Sequence, residues 1–282
     1  MGEQYQRSRL GVSGARVQQC LSAGRPAFVG YYPVGYPTVP RSIEAIRAIV
    51  EGVEGRGADM VEIGIPYSDP LMDGVVIQRA ARTAREAGVR TRDLFPAAQA
   101  VADQGAVPLT MTYWNLVEAY GVEAFARDFA AAGGGGVITP DLPADDCEEW
   151  IEATDRHGVD RIFLVAPSST DERLAMTMRA SRGWVYATSV MGVTGARDHT
   201  SDAAPVIVER ARAADPTIPV GIGLGVSDGD QAAEIGAFAD LVIVGSALIR
   251  TVADRVDDWP AALDALRSLA GEIALGVERS RR

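Results

Sequence analysis

A chain of 282 residues, 47% hydrophobic and carrying a net charge of −11, has enough apolar material for one large core and too much negative charge for nucleic acid or an anionic membrane surface as a bulk partner. No stretch approaches the ~20 apolar residues of a membrane span, residues 1–16 carry no apolar signal region, and Cys20 and Cys147 show no motif spacing, so a reducing cytoplasm is expected rather than a disulfide framework. All 27 basic positions are arginine; without lysine the chain has no lysine amine for a Schiff base to a carbonyl substrate or to pyridoxal phosphate.

Residues 1–14 read as a flexible N-terminal tail and 15–282 as one domain. VQQCLSAG (17–24) suits a short extra helix that plugs the bottom of a barrel. Apolar runs then alternate with helical patterns. The strands are expected at 27–32, 59–63, 107–112, 136–139, 161–165, 184–189, 219–223 and 241–245. Helical patterns lie near 42–54, 75–87 with 91–104, 121–132, 145–157, 171–182, 201–213, 228–237 and 260–275, and the terminal ERSRR is expected to fray. GGGG (133–136) reads as a tight turn before the fourth strand. Eight strands, each followed by a helix, predict an α/β fold, a single closed parallel (β/α)8 TIM barrel. A doubly wound open sheet is the competitor, but YYPVGYPTVP after the first strand lacks the G-x-G-x-x-G turn of that fold.

Residues 61–78, VEIGIPYSDPLMDGVVIQ, concentrate the candidate chemistry. Side chains alternate along a strand, so Val61 and Ile63 suit the helix-facing side while Met60 and Glu62 point inward. Glu62 falls near the strand's C-terminal end, the active face of such barrels. It is either a general acid–base or a buried structural carboxylate with its own partner. Asp69 and Asp73 follow in PYSDPLMDG, where Asp-Pro and Asp-Gly are also ordinary turn chemistry and Asp73 also fits a helix cap. A loop of this length can fold over a ligand and bring a carboxylate to meet Glu62.

The last two strands end in glycine-rich turns, VGIGLGVSDGDQ (220–231) and VGSALIR (244–250). Backbone N–H groups at such turns favour an anion, and the loops after strands 7 and 8 are the usual phosphate site of this fold. Gly192-Val193-Thr194-Gly195 reads as an active-site loop carrying a hydroxyl, or as a plain connector. Tyr186 shares the inward parity of Thr188, and Tyr113 ends the third strand; either packs or walls an apolar pocket. His157 and His199 are the only histidines, and no His/Cys cluster has zinc spacing, so no metal is expected.

VEIGIPYSDPLMDGVVIQ resembles the signature of the tryptophan synthase alpha subunit, and the match continues in order through PLTMTYWN, ITPDLP, APSSTDER, GVTGA, GLGVS and VGSA. The resemblance covers residues 25–250. It implies a (β/α)8 lyase that cleaves indole-3-glycerol phosphate to indole and glyceraldehyde 3-phosphate by a retro-aldol reaction, late in tryptophan biosynthesis. It implies no cofactor in this chain: pyridoxal phosphate belongs to the beta subunit, with which an alpha2beta2 heterotetramer is expected. Residue by residue, Glu62 and Asp73 match the catalytic carboxylates. Tyr186, Thr194, Tyr113 and Tyr31 match substrate-pocket positions. Gly195, Gly225, Gly245 and Ser246 match the phosphate cradle, and Pro66 and Asp69 the stretch facing the beta subunit. Leu224 stands where many members carry an aromatic against the indole. GGGG (133–136) replaces a stretch that usually contains an Asp. The competing expectations are a stand-alone lyase releasing free indole, a sugar-phosphate isomerase or epimerase on the same barrel, and a catalytically poor subunit that mainly activates its partner.

Overall fold

The computed structural model describes residues 2–70, 73–188, 203–223 and 225–280; Thr194, Gly195 and Leu224 lie outside the described residues. Its strands are β1 (Ala27–Pro33), β2 (Met60–Gly64), β3 (Val107–Met111), β4 (Gly136–Ile138), β5 (Asp160–Ile162), β6 (Leu164–Val165), β7 (Val185–Ala187), β8 (Val220–Ile222) and β9 (Leu241–Val244). They form one parallel sheet in the order β5-β4-β3-β2-β1-β9-β8-β7-β6. Its two ends, β5 and β6, are separated only by Phe163, whose carbonyl accepts from the Tyr186 N–H at 3.0 Å. One run of chain therefore pairs with β4 on one side and β7 on the other, and the sheet closes on itself. The nine segments are the eight expected strands, the fifth being divided at Phe163. This is the expected TIM barrel.

The alternation along each strand divides the core in two. Val29, Met60, Leu109, Ile138, Ile162, Trp184, Leu241 and Ile243 pack inside the barrel. Phe28, Val61, Ile63, Val137, Phe163, Val185, Val242 and Val244 pack outward against the helices. A parallel sheet covered on both faces needs apolar residues at both parities, which is why its strands read as continuous apolar runs.

The covering helices include α1 (Gly2–Ser22), α2 (Val39–Glu51), α3 (Val75–Glu86), α4 (Leu94–Ala102), α5 (Trp114–Tyr120), α6 (Val122–Ala131) and α7 (Glu148–His157). They continue with α8 (Asp171–Ala180), α9 (Ala203–Ala214), α10 (Gly229–Gly236), α11 (Ser246–Ala253) and α12 (Trp259–Arg279). Two of these, α5 and α11, do not stand out in the sequence. On α11, Ser246, Ala247, Leu248, Ile249 and Val252 are all buried, so no broad polar face marks a helical period. GGGG is the tight turn expected of it: α6 ends at Ala131, Gly133 takes φ 84°, and β4 begins at Gly136. His157 closes α7 and pairs with Glu123 at 2.7 Å, the surface role expected of it.

Near both chain ends the described residues make contacts that a loose segment would lack. Residues 1–14 read as a tail, yet α1 runs through them with a kink at Gly11 (φ 52°). Ser13 is fully buried, and the Asp160 carboxylate at the foot of β5 accepts from its backbone N–H and its hydroxyl, both at 2.7 Å. Gly183 N–H donates to the Arg9 carbonyl at 2.8 Å, and a Cβ on Gly11 would overlap Asp160. Past that kink Val17 and Cys20 join the barrel interior and plug its bottom, as expected of 17–24. GVSG alone reads as loose because the group that orders it lies 147 residues away from Ser13. At the other end, α12 continues to Arg279 and the buried Ser280 donates to the Val277 carbonyl at 2.7 Å; of the ERSRR expected to fray, Glu278, Arg279 and Ser280 are held, and 281–282 lie outside the described residues.

Candidate active site

β2 carries its side chains as its alternation requires: Met60 lies in the interior cluster, Val61 and Ile63 in the outer one. Glu62 therefore points into the upper barrel, 2% exposed, and its Oε2 has no hydrogen-bond partner among the described residues. A structural carboxylate would be satisfied on both oxygens. Burial, and then the neighbouring charge of Asp73, push the Glu62 carboxyl up to about 8.

Asp73 enters from the loop between β2 and α3. The cap residue of α3 is Gly74, so the Asp73 side chain is not spent on capping; its carbonyl accepts from Gln78 Nε2 at 2.8 Å, which ties it to the first turn. It is 9% exposed, and burial raises its carboxyl to about 6. Asp69 is exposed on the same loop and Pro66 is buried at its base. The structure thus brings Glu62 and Asp73 to one site and leaves Asp69 at the surface.

Tyrosines wall the mouth. Tyr31 of β1 is opposite Glu62 in the strand register. Tyr186 extends β7's inward parity and lies 5.7 Å from Trp184, centroid to centroid. Tyr113, at the end of β3, stacks on Tyr67 at 4.3 Å. Burial, followed by the charges of Asp73 and Glu62, holds the Tyr31 and Tyr186 hydroxyls well above the ordinary tyrosine range, so both remain protonated donors. Two glycines make room for them: a Cβ on Gly64 would overlap the Tyr31 hydroxyl, and one on Gly223 the Tyr186 hydroxyl. Tyr67, Gly64 and Gly223 do not stand out in the sequence. Gly64 shares Glu62's inward parity, the one signal that pointed to it.

The two glycine-rich turns differ in what they leave open. After β8, Gly225 takes φ 69°, but the start of α10 satisfies itself: Asp228 accepts from Gln231 N–H at 2.9 Å and Gln231 Oε1 accepts from Ser227 N–H at 2.8 Å. After β9, α11 begins at Gly245, which has no side chain to cap it, with Ser246 buried behind. Its first N–H groups face the position where an anion is favoured. A Cβ on Gly245 would lie 3.1 Å from Tyr31 Cδ1, so this helix start and the carboxylate pair flank the same tyrosine. No group of three or more His, Cys, Asp or Glu among the described residues is arranged to hold a metal ion.

The tryptophan synthase alpha chain family model matches residues 17–278. The chain belongs to this family. The tryptophan synthase alpha chain of Mycobacterium marinum is 53% identical over 277 residues, 98% of this chain and 97% of that one. That of Acidothermus cellulolyticus is 53% identical over 266 residues, covering 94% and 97%. A solved structure of Mycobacterium tuberculosis tryptophan synthase aligns with a TM-score of 0.87 at 52% identity, covering 95% of this chain and 98% of that chain. The protein is accordingly a carbon–carbon lyase of the tryptophan synthase alpha type, whose reaction cleaves indole-3-glycerol phosphate. Pyridoxal phosphate sits on the beta subunit in this family and not on the alpha chain, which implies a beta-subunit partner. Nothing in these similarities favours the isomerase or stand-alone readings.

Proposed function

We propose that the alpha reaction runs here as an acid–base retro-aldol cleavage in which Glu62 moves the proton, Asp73 balances the charge and the start of α11 holds the phosphate. The observation that carries this reading is one buried site shared by two carboxyls, Glu62 at 2% exposure with an unpartnered oxygen and Asp73 at 9%; burial pushes them up, to about 8 and about 6. Near neutral pH the first is an acid and the second a carboxylate, the division of labour the reaction needs. Glu62 donates its proton to the ring carbon that bears the side chain. Asp73 accepts a hydrogen bond from the indole N–H and offsets the positive charge of the indolenine. Glu62, now ionised, takes the proton of the side-chain hydroxyl; the O–H electron pair becomes the aldehyde carbonyl, and the carbon–carbon pair returns to the ring. Indole and glyceraldehyde 3-phosphate leave, and Glu62 is again an acid. Gly245 and Ser246, with Gly225 and Gly195, bind the phosphate through backbone donors. That remote binding energy orients the reacting carbons. Tyr186, Tyr113 and Tyr31 wall the indole pocket, with Leu224 and Thr194 as further members.

The pH dependence tests the assignment. With indole-3-glycerol phosphate as substrate, kcat/KM for indole release should rise through about 6 as Asp73 ionises and fall above about 8 as Glu62 loses its proton. The two limbs belong to the coupled pair. A profile flat across both limbs would sink it.

The partner reading extends this. Asp69 is exposed and Pro66 shapes the loop that also carries Asp73, so a beta subunit seated there would act directly on the site. We place the chain in the cytoplasm, a compartment that suits its two free, buried thiols. Co-expression with a beta subunit should yield an alpha2beta2 complex that releases indole faster than the isolated chain, and Asp69→Ala should weaken its retention. Elution of the chain alone, with unchanged turnover, contradicts the partnership.

A further inference from the structure

We infer that the Tyr31 hydroxyl is a second proton-carrying group of the cleavage, standing between Glu62 and the side-chain hydroxyl of the substrate; this rests on the assignment of Glu62 made above. Tyr31 and Glu62 face each other on neighbouring strands, and Gly64 is opposite Pro33, two residues further along. The Tyr31 hydroxyl occupies the space a side chain on Gly64 would need, so it sits one layer above Glu62, toward the barrel mouth. On its other side the ring abuts Gly245, the start of α11. A substrate whose phosphate is held at Gly245 and whose ring carbon meets Glu62 must lay its glycerol chain past this hydroxyl.

The hydroxyl is also available. Tyr31 keeps 7% of its surface exposed and its oxygen makes no hydrogen bond to a described residue, while Glu62 Oε2 below it is buried without a partner. A buried carboxylate oxygen left unpartnered beneath an open hydroxyl calls for a ligand to complete it. Burial and the nearby carboxylates keep the phenol protonated, so it enters the reaction as a donor. In the second half of the cleavage it gives its proton to the Glu62 carboxylate and takes the proton of the substrate hydroxyl. One proton passes from substrate oxygen to Glu62, the phenol ends as it began, and the freed electron pair forms the carbonyl.

Tyr31→Phe removes one oxygen and keeps the ring against Gly245. Its kcat should fall about 10- to 100-fold, the effect of losing a hydrogen bond to a charged group, while KM stays within about twofold. The alkaline limb of the kcat profile, which reports the substrate complex in which the hydroxyl meets Glu62, should move upward, because ionised Glu62 loses a donor there. A purely packing role would leave that limb where it is. A kcat within about twofold of the parent together with an unmoved limb overturns the inference. Glu62→Gln assayed in parallel separates the two claims. If it is inactive while Tyr31→Phe is parent-like, only the relay fails; if Glu62→Gln stays active, the assignment beneath it fails too.

Discussion

Glu62→Gln should lose about 10²–10⁴ in kcat for indole release, the usual contribution of a positioned acid–base group, while still binding substrate. The amide has the size and shape of the carboxyl but neither gives nor takes the proton that the ring carbon and the side-chain hydroxyl exchange. The phosphate contacts proposed at Gly245 and Ser246 lie at the start of α11, across Tyr31 from the substitution, so affinity should survive. Stability should move the other way. Burial and Asp73 raise Glu62 from 4.5 to about 8 in the folded chain. A group whose folded value lies above its unfolded one binds its proton more tightly in the native state. Its contribution is fully present below the unfolded value and is lost as pH rises through the folded one. Above about 8 the parent holds a buried, uncompensated carboxylate, and the glutamine variant does not. There the variant should be more stable by a few kcal/mol, on the order of one factor of ten per pKa unit of displacement. Thermal melts at acid and alkaline pH, run beside stopped assays of indole, measure both effects. Near-parent cleavage, or the absence of a stability gain in alkali, would count against a buried acid at this position. A site residue that costs stability and confers activity is the expected trade-off.

Asp160→Ala should do the reverse, losing about 3–5 kcal/mol of stability while leaving kcat near the parent value at temperatures well below melting. The carboxylate is fully buried at the foot of the barrel; it accepts two hydrogen bonds from Ser13 and lies 3.3 Å from Arg182 Nε. Removing it leaves a buried backbone N–H, a hydroxyl and a guanidinium short of a partner, and frees the kink at Gly11 that lets α1 reach the barrel interior. Ser13→Ala, which keeps the backbone bond, should cost only about 1 kcal/mol. Chemical denaturation gives the stabilities. A variant that melts like the parent, or one that folds but cannot cleave, contradicts a bottom-face role confined to stability.

These substitutions mark opposite ends of the barrel, and the sequence disclosed the two ends unequally. The strands were legible because each is buried on both faces and reads as an apolar run between turn residues. Glu62 was legible for the same reason, as a charge inside such a run, and the strand's alternation was enough to point it inward. Asp73 was ambiguous between cap, turn and catalysis; the cap at Gly74 removes only the first of these, and one residue of offset is beyond what spacing shows. Tyr31 matched a pocket position only by resemblance. Its place beside Glu62, above Gly64 and against Gly245 depends on the strand order β9-β1-β2, which joins segments far apart in the chain.

Periodicity and residue type by themselves determined the strand–helix alternation, the barrel class, the carboxylate-bearing strand, the glycine-rich turns and the exclusion of a lysine Schiff base, because each is a local property of the chain. The tertiary structure alone decided which groups share a dielectric environment. Closure at Phe163 makes the interior, burial there raises the Glu62 and Asp73 carboxyls by different amounts, and the same burial turns GVSG from a loose segment into a latch on Asp160. Those outcomes follow from desolvation and from contacts across more than a hundred residues, which no local pattern encodes.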